Sequence, residues 1–203
     1  MIKRIGAYGL ALVIGLVAGP ASALYLAGLW PGAKPLDFGD VEIDGWRTDF
    51  AIGSETADPY TRARVARHGL LGLAKSEAVY FTRTADDEGK PLSETCDYRI
   101  TGGAMPADWW SITLYNGESY LPDNTDGALS VDATQLNAGD GPWEAIVSAT
   151  NTEEEVAWIS SKAAGNFDLT LRFYMPNRAL LEAPAKTLTP PVIERLSCEG
   201  EAS

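Results

Sequence analysis

Apolar and polar positions alternate one by one through Trp109 to Asn116. Trp110, Ile112 and Leu114 fall on one side, and Trp109, Ser111, Thr113 and Tyr115 on the other. A two-residue period belongs to a strand with one buried face, whereas a helix would scatter the same positions around its circumference. Asn166 to Met175 divides likewise: Phe167, Leu169, Leu171, Phe173 and Met175 are apolar, and Asp168, Thr170, Arg172 and Tyr174 are polar or amphipathic. Further strands are expected at Glu77 to Ala85, Thr95 to Gly102, Ala128 to Asp132, Trp143 to Thr150 and, briefly, Val192 to Leu196. Val41 to Ile52, around Trp46, is a weaker candidate. Turn-forming clusters such as Asp86-Asp87-Glu88-Gly89, Asn116-Gly117 and Asp123 to Gly127 separate these runs. Many short strands at this spacing mean a sandwich or barrel rather than a doubly wound sheet.

One helix is expected in the soluble part. Asp58 is placed to cap it, Pro59 suits its first turn, and good helix formers run from Tyr60 to Ala74. Ala63, Ala66, Leu70 and Leu73 share a face suited to lying on a sheet, and Arg62, Arg64, Arg67 and His68 form a basic cluster on the same element. That cluster reads either as a contact for an anionic partner or, with more weight, as a solvated face paired with the domain's own carboxylates. The proline-bearing stretch Pro184 to Pro191 is expected to wrap the outside.

The amino-terminal pattern is different in kind. Lys3 and Arg4 are followed by Ile5 to Trp30 without one Asp, Glu, Lys or Arg. Ala21-Ser22-Ala23 has the small-x-small form of a signal-peptide cleavage site. Tyr8 and Trp30 would stand about 33 Å apart on a helix, close to the ~30 Å of a bilayer's hydrocarbon, so a retained membrane helix is the favoured of the two readings. In both, Lys3 and Arg4 stay cytoplasmic, and the chain beyond Trp30 is expected in the periplasm, held at the inner membrane by a single pass. The chain then divides into a segment 1–30, a linker with a weak β segment at 31–57, and a β domain over 58–198.

Charge and cysteine content narrow the function. The 203 residues hold 16 Lys plus Arg against 28 Asp plus Glu. Beyond the first thirty residues the balance is 14 to 28, net −14, which repels a phosphate backbone and argues against nucleic acid as a partner. Two cysteines exported to an oxidising compartment favour a Cys96–Cys198 disulfide, which would staple the carboxy-terminal segment to a central strand; two free thiols are the alternative. His68 is the only histidine and the cysteines lack metal-ligand spacing with one another, so no metal site and no cofactor are expected. A calcium-binding turn at Asp123 to Asp126, or at Asp140, would match no known calcium-loop spacing.

Arg62 to Arg195 resembles the bacterial domain of unknown function 1214. The matching elements in order are RARVARHGLLGLAKSEAVYF, ADDEGKPLSETCDYRI, MPADWWSITLYN, NAGDGPWEAIV, NFDLTLRFYMPN and PPVIERL. The most specific are Pro106 followed by Trp110-Ser111-x-Thr113-x-Tyr115, and Phe167-x-Leu169-x-Leu171-Arg172-x-Tyr174-x-Pro176. The resemblance implies a jelly-roll-like antiparallel β-sandwich with one packed helix, and a partner carrying the domain of unknown function 1254, which often accompanies it. It implies no reaction and therefore no catalytic residue. Cys96 departs from many relatives, and VAWISSKAAGNF replaces the Asn-Trp-Leu-Pro-like stretch expected before Phe167.

If the strands at Trp109 and Phe167 share a sheet, their second faces bring Trp109, Tyr115 and Tyr174 together as flat platforms. Ser111, Thr113, Asp168 and Arg172 add hydrogen-bonding groups, with Arg172 facing an anion; such a set suits a sugar or small polar ligand. The competing reading covers this face with the helix and the carboxy-terminal wrap, and pairs Arg172 structurally. Catalysis is weakly indicated, because Ser111 lacks a glycine-flanked nucleophile turn and the acidic residues Asp86, Asp87, Glu88 and Glu153 to Glu155 sit in turns where solvation explains them. Three functions are thus open: a non-catalytic envelope module that binds a partner or small polar ligand, a carboxylate-dependent enzyme on a sugar-like substrate, and an architectural element.

Overall fold

The structure, a computed structural model, describes residues 2–30, 41–54, 57–67, 73–139, 141–151 and 155–199. It divides into two compact units. One holds helices α1 (Ile2–Leu26) and α2 (Pro59–Arg67); the other holds, among the described residues, ten strands and two short helices.

In the first unit, α1 contains Pro20 and stops at Leu26, four residues short of Trp30. The helical spacing expected between Tyr8 and Trp30 is therefore not realised. Among the described residues, no helix is long and apolar enough to cross a membrane. Leu12, Val13, Ile14, Leu16 and Val17 are all exposed. Helix α2 begins as expected: Asp58 accepts from the Tyr60 amide at 2.8 Å, the Thr61 amide at 3.2 Å and the Thr61 hydroxyl at 2.5 Å. These bonds, the Thr61 hydroxyl first, hold the Asp58 carboxyl below its ordinary range. The buried positions of α2 are Thr61 and Val65, and Ala66 is exposed, so the alanine face expected from the sequence is not the packed one. Arg62 donates to the Ala57 carbonyl and Arg64 to the Thr61 hydroxyl. His68 and Leu70 lie outside the described residues, and Leu73 and Ala74 are not helical.

The second unit is built on two sheets. The larger runs β1 (Val41–Ile43), β2 (Trp46–Thr48), β3 (Ala78–Arg83), β9 (Phe167–Pro176), β5 (Ala107–Asn116) and β6 (Ser130–Asp132), each antiparallel to its neighbour. The smaller runs β10 (Val192–Cys198), β4 (Cys96–Gly102), β7 (Trp143–Ser148) and β8 (Ala157–Ser160). Helices α3 (Arg178–Glu182) and α4 (Pro184–Thr187) precede β10. The fold is mainly β, but not wholly antiparallel: β7 and β8 are parallel, with Ala145 opposite Ala157. The short run at β8 is not among the strands expected from the sequence.

Alternation sets the core. Trp110, Ile112 and Leu114 of β5 and Phe167, Leu169, Leu171 and Phe173 of β9 point inward with Tyr98, Ile100, Trp143, Val147 and Ile193 of the smaller sheet in one apolar cluster. Trp110 stacks on Trp143 at 4.6 Å, and Tyr98 meets Phe167 edge-on at 5.9 Å. These contacts across the sheets are the apolar burial that holds such a two-layer arrangement together. Met175 breaks the pattern. Its backbone is left-handed at φ 50°, the ladder to β5 omits it between Tyr174 and Pro176 without a shift of register, and its side chain is 56% exposed rather than inward. The hairpin β1–β2 turns through Asp44 and Gly45, both at positive φ, and buries Trp46 completely, its indole N–H donating to the Pro191 carbonyl at 2.9 Å.

The carboxy-terminal segment is fastened at several points. Cys96 and Cys198 form the disulfide, closing β10 onto β4 across 102 residues of sequence. Arg195 pairs with Asp86 at 2.6 Å, and Asp87 takes the Ile193 amide at 2.9 Å while pairing with the buried Arg83 at 2.6 Å. Turn chemistry alone places Asp86 in solvent. Instead the Asp86 side chain is 1% exposed, also accepts the amides of Glu88 and Lys90, and serves as an anchor for β10. Of the three acidic residues in that turn Glu88 faces water most fully, and Glu153 and Glu154 lie outside the described residues. The segment 184–191 packs rather than only wrapping: Leu188 is buried and Pro184 opens α4.

Candidate functional site

The outer face of the larger sheet assembles in rows fixed by register. Trp109 lies opposite Tyr174, Ser111 opposite Arg172, Thr113 opposite Thr170, and Tyr115 opposite Asp168. On the other side of β9, Tyr80 lies opposite Arg172 and Thr82 opposite Thr170. All seven candidate residues are thus on one face of two neighbouring strands. Ser111 and Thr113 lie low and buried, while Trp109, Tyr115, Asp168, Arg172 and Tyr174 are half-buried. The face is neither core nor fully solvated.

Arg172 is its centre. One Nη1–H donates to the Thr113 hydroxyl at 2.8 Å and one Nη2–H to the Tyr115 hydroxyl. The guanidinium also lies 5.2 Å from the Tyr115 ring centroid and 5.9 Å from that of Tyr80, both within cation–π range. Its anchors are neutral, and no carboxylate lies within ion-pair distance of it among the described residues. The structural ion pair that the competing sequence reading gave Arg172 is therefore absent from this set.

Asp168 lies on the same strand as Arg172. Burial pushes its carboxyl up to about 6, against the opposing pull of a Thr170 hydroxyl bond at 3.0 Å and the Arg172 charge. Burial likewise raises the Tyr80 phenol, aided by Tyr174 and opposed by Arg172. Trp109 is oriented by donation of its Nε1–H to the Thr134 hydroxyl at 3.0 Å, and its ring packs on Tyr174 at 5.2 Å, tilted by 56°. Tyr80, Thr82, Thr134 and Thr170 are not marked as site residues by the sequence pattern. Alternation in β3 places Tyr80 and Thr82 in one phase, but only the β3–β9 pairing brings that phase to Arg172.

No metal centre is formed by this arrangement: among the described residues, no three His, Cys, Asp or Glu side chains cluster. The Asp123 to Asp126 turn is instead tied to β8 and the segment after it. The Ser160 hydroxyl donates to Asp126 at 2.7 Å, and Asn124 donates to the Lys162 carbonyl at 2.8 Å. Asp140 lies outside the described residues.

Residues 77–178, half of the chain, match the family model described as Protein of unknown function (DUF1214). The chain belongs to the DUF1214 family. Both halves of the candidate site, β5 and β9, fall within the matched span. No curated protein matches the sequence. Among solved structures, the VPA0106 protein from Vibrio parahaemolyticus is similar with a TM-score of 0.55 and 22% identity, over 70% of this chain and 36% of that one. An uncharacterised protein from Burkholderia cenocepacia aligns with a TM-score of 0.38 and 25% identity, over 63% of this chain and 31% of that one. This DUF1214 chain thus spans about a third of the length of both. The first likeness bears on the fold alone.

Proposed function

We propose that this DUF1214 protein is a non-catalytic envelope module, tethered to the inner membrane by its amino-terminal segment and exposing its β unit to the periplasm. The outer face of the larger sheet is its binding surface for a small polar ligand or a group on a partner protein. The observation that carries the binding role is Arg172, a half-buried cation against two tyrosine rings and held, among the described residues, by neutral hydroxyls alone. A structural arginine in such a place ordinarily has a carboxylate partner, since an uncompensated charge is costly to remove from water. The tether is supported by the sequence from Ile5 to Trp30, free of Asp, Glu, Lys and Arg, and by the exposed apolar side chains along α1, which need an apolar surrounding. The partner proposed is a protein carrying the domain of unknown function 1254.

The alternative of a carboxylate-dependent enzyme needs a second carboxyl facing the first across the substrate. Asp168 instead has Thr170 and Arg172 as its neighbours, so binding is the better-supported reading. The test is to extract the full chain from membranes in mild detergent and identify what accompanies it by native mass spectrometry. A bound small molecule or stoichiometric partner, lost when Trp109 and Arg172 are replaced, is expected. Recovery of the protein from the soluble fraction, alone and empty, would contradict the proposal.

A further inference from the structure

We infer that the Arg172 face takes a ring-borne monocarboxylate, such as a sugar acid, with the carboxylate on Arg172 and the ring against Trp109 and Tyr174. The inference rests on the binding role proposed above and adds the charge and shape of the ligand. Three observations lead to it.

The first is unused donor capacity. A guanidinium has five N–H groups in a planar fork. Thr113 and Tyr115 engage one on each Nη, while Nε–H has no acceptor among the described residues and is not a sealed, buried atom. Nε–H and a free Nη–H form an edge whose geometry matches the two oxygens of a carboxylate.

The second is charge. Among the described residues, the only other cation of the larger sheet's outer rows is Arg47, in the row of Thr82, and it is already within 3.6 Å of Glu42. Arg172 is thus a single positive charge, with the Asp168 carboxyl close enough to feel it. A dianion such as phosphate would meet one cation and a nearby carboxylate, whereas a monoanion is matched by Arg172.

The third is spacing. Tyr174 follows Arg172 by two residues and so stands about 7 Å along the strand, with Trp109 beside it. That is the reach from a carboxylate to the far side of a six-membered ring. The Thr134 bond and the Tyr174 contact hold the indole in one orientation, as a stacking platform requires. Ser111, opposite Arg172 and two residues from Trp109 on β5, offers a hydroxyl at the carboxylate end of the ring.

The experiment is a titration of the full chain in mild detergent with glucuronate, glucose and inorganic phosphate, followed by tryptophan fluorescence and calorimetry. Glucuronate is expected to bind at least about tenfold more tightly than glucose, the usual value of a charge-assisted hydrogen bond, and more tightly than phosphate. R172Q should abolish that preference. W109A, a substitution at a half-buried surface position, should weaken glucuronate and glucose alike while the protein melts cooperatively. If glucose binds as well as glucuronate and W109A weakens both, the binding surface stands and the carboxylate inference falls. If phosphate binds best, the monoanion assignment falls. If none of the three binds, the inference falls and the binding face is left to the co-purification test; if R172Q and W109A both leave glucuronate binding unchanged, the inference falls because the ligand sits elsewhere.

Discussion

Asp168 shows what a single outer-face residue contributes. Its folded pKa lies near 6, above the ordinary 3.8, so between these values the folded chain keeps a proton that the unfolded chain has released. Stability from this group is therefore present below about pH 4 and is lost as pH rises to about 6, at ~1.4 kcal/mol for each tenfold difference in proton affinity between the two states. Asp168→Asn should raise the melting temperature at pH 7 and leave it little changed at pH 4. An equal effect at both values would remove burial as the cause. The same residue couples to ligand: an anion on Arg172 repels ionised Asp168, so binding should tighten as pH falls through about 6. The charged and phenolic groups around Asp168 are Arg172, Tyr80, Tyr115 and Tyr174, and burial raises the Tyr80 phenol above its ordinary value, away from that range.

At the scale of elements, β10 is an edge strand whose ladder to β4 is reinforced by a disulfide, the Arg195–Asp86 pair and the bond from the Ile193 amide to Asp87. Reducing the Cys96–Cys198 bond, or replacing both cysteines by serine, should cost up to ~4.7 kcal/mol in the chain-entropy account of a loop of about 100 residues. Chemical denaturation with and without reductant measures it; coincident curves would show that the strand holds without its bond. Arg195→Met strands Asp86, whose side chain is nearly sealed from water, and is expected to cost roughly 3–5 kcal/mol. A much smaller loss would mean that the Glu88 and Lys90 amides suffice for the carboxylate.

These elements also show how far the sequence can be read. The strands at β4, β5 and β9 are legible because each carries its own alternation, those at β3 and β7 because they are short apolar runs bounded by turn residues, and the Asp58 cap because its chemistry is local. The Asp44-Gly45 turn is a local signal too, yet its flanking strands of three residues are too short to show a period. What sequence cannot supply is pairing. The parallel partner of β7, the inward turn of Asp86 towards Arg195, and the place of Tyr80 beside Arg172 all join residues distant in the chain. Met175 departs from its expected inward place because a left-handed residue resets the alternation without any glycine to announce it.

For the whole molecule, the two units have separate chemistry. Leu12 to Val17 of α1 are apolar and exposed, whereas the β unit buries its apolar side chains and shows a polar outer face. The central claim is that β5 and β9 divide their side chains between a closed core and an accessible ligand face. Hydroxyl-radical footprinting of the full chain in its membrane measures this residue by residue. Trp109 and Tyr174 should be oxidised far faster than Trp110 and Trp143, and glucuronate should slow the first pair only. Protection of Trp109 equal to that of Trp110 in the absence of ligand would contradict the account.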